Sequence, residues 1–152
     1  MQTAKQFSVR LVNRPGRLAA VLAALAKEKV ELLALSVMDS GDQNTLRFVP
    51  DDPGRTRIAL QTMNVKHDTA EVLLADLNSR NGSFRKVCER LASQRLNIDY
   101  AYGSHSNGKS KGGSLAVIKV NDLVKAQRVL SQGATGTRQR AKPVRRLRVR
   151  AK

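Results

Sequence analysis

The apolar positions of this chain occur in the same order twice, and that repetition limits the possible folds more than any other feature. Asn13-Arg14-Pro15-Gly16-Arg17-Leu18 aligns with Ser79-Arg80-Asn81-Gly82-Ser83-Phe84 at an offset of 66. At that offset Val21 meets Val87, Leu25 meets Leu91, Ala26 meets Ala92, Val30 meets Leu96 and Leu32 meets Ile98. Further on, a three-residue insertion raises the offset to 69 and sets Leu46 against Leu115, Phe48 against Val117 and Leu60 against Val129. Self-similarity at one spacing marks repeated supersecondary units. The expected boundaries are 1–69 for the first unit, 70–132 for the second and 133–152 for a tail.

Each unit reads as βαββαβ. Phe7, Val9 and Leu11 alternate over residues 6–12, the period of a strand with one buried face. After a Pro-Gly turn, Leu18, Val21, Leu22 and Leu25 recur at helical spacing. Strands are expected over 30–38 and 45–49, a helix over 53–63 with Pro53 in its first turn, and a short closing strand over 65–68. The second unit repeats this with strands over 71–77, 97–102 and 114–120 and helices over 83–93 and 122–130. Phe84, Val87, Cys88 and Leu91 share one face of the first of these helices. Its last strand is the open question: residues 144–150 are available, but Arg145, Arg146 and Arg148 suit a buried strand poorly. A βαββαβ unit with short connections gives a four-stranded antiparallel sheet with both helices on one face. Alone, it leaves its other face and its edges uncovered. The fold class is therefore α+β, as two ferredoxin-like units packed side by side.

The turn between the first strand and helix carries chemistry. The first N–H groups of a helix have no partner within it and attract an anion. Gly16 lets a ligand or backbone approach closely, and Pro15 fixes the turn beforehand. Asn13 and Asn97 each offer a donor and an acceptor. The competing reading is that Asn13 or Ser79 only caps a helix and Gly16 or Gly82 only shapes a turn.

Asn13-Arg14-Pro15-Gly16-Arg17-Leu18, between strand and helix of a βαββαβ unit, resembles the ACT domain family. The second unit is similar to a diverged copy: Ser79-Arg80-Asn81-Gly82 lacks the proline, while Asn97-Ile98 resembles the Asn-Ile that opens the second strand of many ACT domains. The resemblance covers about residues 5–131 and implies a regulatory module that senses amino acids between paired domains and acts on an enzyme or transporter. It implies a ligand site at Asn13, Arg14, Pro15, Gly16, Arg17 and Leu18, joined by Asn81, Gly82, Asn97 and Ile98. Some serine-binding relatives carry a His two residues before the turn Asn; this chain has Leu11 there. Glu31 stands where unit one would match Asn97, so each unit keeps half of the pattern. If the turn of one unit faces the second strand of the other, the halves would complete a single site. A homodimer is a further possibility, because a missing last strand would leave an edge to pair.

Charge sets the remaining expectations. Lys plus Arg number 28 and Asp plus Glu 12, for a net charge of +16, and every acid lies at or before Asp122. The tail alone carries +8, from Arg138, Arg140, Lys142, Arg145, Arg146, Arg148, Arg150 and Lys152. It is either a solvated appendage or a partner for phosphate backbones or an acidic enzyme surface. Eight charges engaged on a duplex would give a salt slope of about −7. Aromatics are 3% with no Trp, which argues against a base-stacking platform. The alternative functions are thus nucleic-acid association through the tail, or structural assembly.

Other motifs carry less. Gly103-Ser104-His105-Ser106-Asn107-Gly108-Lys109-Ser110 matches the phosphate-cradling G-x-x-x-x-G-K-[ST] string, but Gly112 and Gly113 follow where a helix must begin. A flexible hairpin loop is the expected reading. Two histidines and one cysteine match no metal spacing, and no nucleophile-base set is present, so no metal, cofactor or enzyme activity is expected. The lone Cys88 and the lack of a long apolar run point to a cytoplasmic setting with no membrane partner.

Overall fold

Alternation builds β1 (Gln2–Val12), with Phe7, Val9 and Leu11 on one face and Gln6, Ser8 and Arg10 on the other. The computed structural model describes residues 2–77, 82–105 and 114–132. After β1 come α1 (Arg17–Lys27), β2 (Leu32–Ser40), β3 (Gln43–Pro50), α2 (Pro53–Thr62), β4 (His67–Leu77), α3 (Ser83–Ser93), β5 (Ile98–His105), β6 (Ser114–Val120) and α4 (Leu123–Ser131). All six strands join one antiparallel sheet in the order β2-β3-β1-β4-β6-β5. The architecture is α+β, two ferredoxin-like units side by side.

The units are interlocked through the two middle strands. The strands expected over 65–68 and 71–77 are one continuous strand, β4. Its first half closes unit one by pairing with β1, from Val9↔His67 down to Gln2↔Leu74. Its second half opens unit two by pairing with β6, from Leu73↔Ile118 to Leu77↔Ser114. β1 is shared in the same way. Residues 7–12 pair with β3, and the earlier residues, which the alternation did not reach, flank β4 where unit two needs its last strand. Residues 144–150 lie outside the described residues.

The pairing follows the repeat. Lys5 faces Glu71, its own equivalent at the offset of 66. A pseudo-twofold axis therefore passes between these two residues. Their ion pair, 4.0 Å apart and exposed, marks the axis but contributes little. Local details recur about it. Leu33 bulges from the β2–β3 ladder, and its repeat equivalent Asp99 bulges from the β5–β6 ladder. Lys29 and Arg95, equivalent in the same way, both end a helix at φ 56°.

After the hairpin the offset is 70, not 69. Phe7↔Phe48 in unit one corresponds to Leu73↔Ile118 in unit two. The helix-capping Asp52 and Asp122 are likewise 70 apart, so the insertion is four residues. The distinction matters because a one-residue slip moves every strand side chain to the other face. Leu46 and Phe48 lie in the core under the unit-one helices; their counterparts are Ala116 and Ile118, whereas Val117 faces the opposite side.

Each helix pair covers its own core on one face of the sheet. Val21, Leu25, Ala59 and Leu60 pack on Phe7, Val9, Leu46 and Phe48. Leu91, Ala126 and Leu130 pack on Leu73, Ala75, Ile118 and Val120. Phe84, expected on the core face of α3, is 38% exposed. The opposite face carries no helix. It is covered by the curl of the sheet, which brings Cα atoms of the two edge strands, β2 and β5, within 8 Å. Ala34, Val49, Val72, Leu74 and Val117 are buried there, packed with Tyr102. Fully buried Gln6 lies in the same layer. It donates to the Tyr100 hydroxyl (2.6 Å) and accepts from the Tyr102 hydroxyl (2.9 Å), while the Arg47 guanidinium lies 4.3 Å over the Tyr100 ring. These contacts tie β1 and β3 to β5, across the two units.

Two outcomes follow. A fragment of residues 67–132 loses β1, exposing Val72 and Leu74 and removing the partner of both tyrosines. It should show no cooperative thermal transition by circular dichroism, while residues 2–132 melt cooperatively; a two-state melt of the fragment would contradict the interlock. Burial also raises the Tyr102 hydroxyl above its ordinary value of 10.0; neighbouring Tyr100 adds to the rise and Arg47 offsets part of it. A folded-state value above the unfolded one means stability is intact below pH 10 and falls as pH climbs beyond it. Tyr102→Phe should flatten that alkaline decline in chemical-denaturation midpoints.

Candidate functional site

The site expected at the Asn13 turn sits where β1 leaves the sheet. The Asn13 N–H donates to the Asp42 carbonyl (3.1 Å), and its side-chain oxygen accepts from Asn44 (3.2 Å). The Arg14 N–H donates back to Val12 (2.8 Å), closing a tight turn. Gly16 then takes φ 85°, a left-handed conformation that favours glycine, and a Cβ there would meet nothing within 4 Å. Residues 13–17 are exposed and Leu18 is half-buried against the core.

The way the helices begin distinguishes the two readings of this turn. Asp52 and Asp122 cap α2 and α4, accepting from the N–H groups of Arg55 (3.0 Å) and Lys125 (2.9 Å). α1 begins at Gly16 with no side-chain cap. Asn13, offered as a cap, is instead spent on Asn44. The Arg17 N–H reaches the Arg14 carbonyl (3.3 Å), and that of Ala20 the Gly16 carbonyl (3.0 Å). The N–H groups of Leu18 and Ala19 between them have no acceptor among the described residues. An open helix start beside an exposed glycine is a ready anion acceptor.

Unit two differs. Gly82 repeats the conformation at φ 81°, and α3 also lacks a side-chain cap. Here, however, Arg85 lies over the glycine, 3.6 Å from where a Cβ would stand, and pairs with Glu89. Ser79 and Asn81 lie outside the described residues.

Asn97 and Ile98 have structural duties. The Asn97 N–H donates to the Asn121 side chain (3.0 Å) and its carbonyl accepts from the Asn121 N–H (3.3 Å). Glu31 and Asp51 make the same clasp in unit one, at 2.9 Å for both bonds. The Asn97 side chain turns to Asp99 (3.2 Å), and Ile98 packs on the unit-two core. The expectation that Asn13 and Asn97 complete one site within the chain is corrected by the sheet. The units meet through β1 and β4, and β5 closes over β1 at Gln6, not at Asn13. The register places Asn97 level with Gln6, seven residues or about 23 Å along the strand direction from Asn13.

Beside the Asn13 turn is a cleft of about 450 Å³ lined by Arg10, Ser40, Asp42, Gln43 and Thr45. Arg10 on β1 and Asp42 in the β2–β3 turn are far apart in sequence, and line one cleft only because β1 and β3 pair as Arg10↔Thr45 and Val12↔Gln43. The outward alternation of Arg10 was visible in the sequence; its opposite charge was not. Among the described residues neither side chain has a charged partner. A cation and a carboxylate across one opening match a zwitterion.

The other motifs fall away from this place. Gly103, Ser104 and His105 belong to β5, and the rest of that phosphate-type string lies outside the described residues between two paired antiparallel strands. Cys88 is half-buried on α3. Among the described residues no group of three His, Cys, Asp or Glu side chains can hold a metal, and no helix is long and apolar enough to cross a membrane.

Residues 2–132 match the family model of an ACT domain pair. The chain belongs to the ACT domain family. Protein BT0572 from Bacteroides thetaiotaomicron has this fold at a TM-score of 0.78 and 29% identity, over 87% of this ACT chain and 89% of that one. The ligand-free regulatory subunit of aspartate kinase from Thermus thermophilus shares the fold at a TM-score of 0.59 and 17% identity, over 86% and 91% of the two chains. Aspartokinase III of E. coli, in complex with lysine and aspartate, shares it at 0.55 and 13%, over 87% of this chain and 30% of that one. No curated protein matches the sequence. As an ACT domain pair, the chain is built as a regulatory module.

The left-handed turn sets one measurable cost. Gly16→Ala meets open space but must hold φ 85°, so it should destabilise by about 1 kcal/mol in urea unfolding. A loss above about 3 kcal/mol would show that the glycine is packed, not open.

Proposed function

We propose that this ACT domain pair binds a small zwitterion of the amino-acid class at the turn of residues 13–18, and that occupancy alters its action on a partner enzyme. One observation carries the reading. α1 opens on an exposed glycine with nothing over it and with unpaired N–H groups, whereas α2 and α4 are capped by Asp52 and Asp122 and Arg85 lies over the glycine that opens α3. The adjoining cleft adds the chemistry of a ligand bearing both charges. The ligand carboxylate goes to the Leu18 and Ala19 N–H groups or to Arg10, and its ammonium to Asp42 or to the remaining lone pair of Asn13 Oδ1. The complex of E. coli aspartokinase III with lysine and aspartate supports amino acids as the class to test first.

A thermal-shift panel of the twenty amino acids at millimolar concentration tests this. A ligand at about 100 times its dissociation constant adds roughly 2.7 kcal/mol, a rise of several degrees. Asn13→Ala and Arg10→Gln should each abolish that rise. Because both residues are exposed, the unliganded protein should keep its melting temperature to within a few degrees. No shift with any amino acid, or a full shift in both variants, would refute the site.

A further inference from the structure

The repeat supplies an internal control for the surface of the molecule. Between α3 and α4 runs an open cleft of about 360 Å³ lined by Arg90, Ser93, Gln94, Lys125, Arg128, Val129 and Gln132. Three cations line it, and no acid does. Among the described residues none of the three has a carboxylate within 4.0 Å. The fold does not require this. At the corresponding places in unit one stand Ala24 for Arg90, Ile58 for Arg128, and Arg55 for Lys125, with Arg55 neutralised by Asp52 at 3.4 Å. Unit one builds the same helix pair without a free cation at any of the three positions.

Two of the three cations, Arg90 and Lys125, are also held in place. The Arg90 guanidinium donates to the Val129 carbonyl, and the Lys125 ammonium to the Gln94 carbonyl (2.8 Å). Both acceptors lie at helix ends, where carbonyls lack intrahelical partners and favour positive charge. Each cation keeps further donors: an ammonium has three and a guanidinium five. Gln132 lines the same cleft, and the chain continues from it into a segment with eight basic residues and no acid.

We propose that the α3–α4 cleft binds the phosphate backbone of duplex nucleic acid without base readout. Its lining selects phosphate over an acidic protein. Stable protein interfaces centre on desolvated aromatic or aliphatic anchors, and here the only apolar lining residue is half-buried Val129. Spaced cations on a polar surface are what backbone binding uses. This surface is separate from the Asn13 turn, so the two proposals stand or fall independently.

The experiment is fluorescence anisotropy of a labelled random-sequence DNA duplex of about 20 base pairs with the full chain, titrated across salt. Compared are the wild type, Lys125→Gln/Arg128→Gln, and the unit-one control Lys27→Gln/Arg57→Gln, which removes equal charge from exposed helix positions. Circular dichroism melts confirm that each variant folds. The cleft variant should lower the magnitude of the salt slope by about 1.8 and weaken binding at least tenfold at low salt, while the control keeps the wild-type slope. Equal effects in both variants would reduce the interaction to net charge and overturn the proposal. So would a wild-type slope in the cleft variant, no wild-type binding, or polyglutamate competing as well as duplex.

Discussion

Everything in this molecule depends on the antiparallel ladder between β1 and β4. Each of these strands serves both units, one half within its own repeat and the other half as a flank of its neighbour. The axis at Lys5 and Glu71 follows from the repeat spacing and the strand register alone. A duplicated βαββαβ unit would otherwise present bare edges at its middle strands. Sharing them produces one sheet, and its curl covers the helix-free face with the sheet's own side chains.

That face holds an unusual tie. Gln6 is fully buried, yet its amide is satisfied by two tyrosine hydroxyls from the far edge strand. A buried amide without partners would cost about 1–3 kcal/mol, so the layer is stable only while β5 stays closed over β1. The Arg47 guanidinium over Tyr100 adds a contact from β3.

Most elements were legible because one-sided burial leaves a clear period. Phe7, Val9 and Leu11 placed β1, and helical spacing from Leu18 placed α1. The failures have physical reasons. In β6, Leu115, Ala116, Val117 and Ile118 are all apolar because both faces are covered, so no alternation fixed the phase and the repeat slipped by one position. The middle of β4 was hidden because Thr69 and Glu71 lie in the seam between the two helix pairs and need not be apolar. The burial of Gln6 could not be read locally, since its cover comes from Tyr100 and Tyr102, far along the chain in the other unit. At the candidate site, the glycine turn was visible in sequence. The cap that α1 lacks, and the place of Arg10 and Asp42 on one cleft, emerged only in three dimensions.

The resulting molecule is an ACT pair whose halves share a spine and differ at their surfaces. Unit one keeps an open helix start beside a two-signed cleft; unit two covers Gly82 with Arg85 and gathers cations between its helices. Native-state hydrogen exchange tests the shared spine most directly. Amides of β1, β4 and β6 should exchange only through global unfolding, with a single free energy common to both units. Distinct plateaus, with the amides of β6 opening at lower free energy than those of β3, would mean that the halves unfold separately and that the β1–β4 ladder does not bind them into one structure.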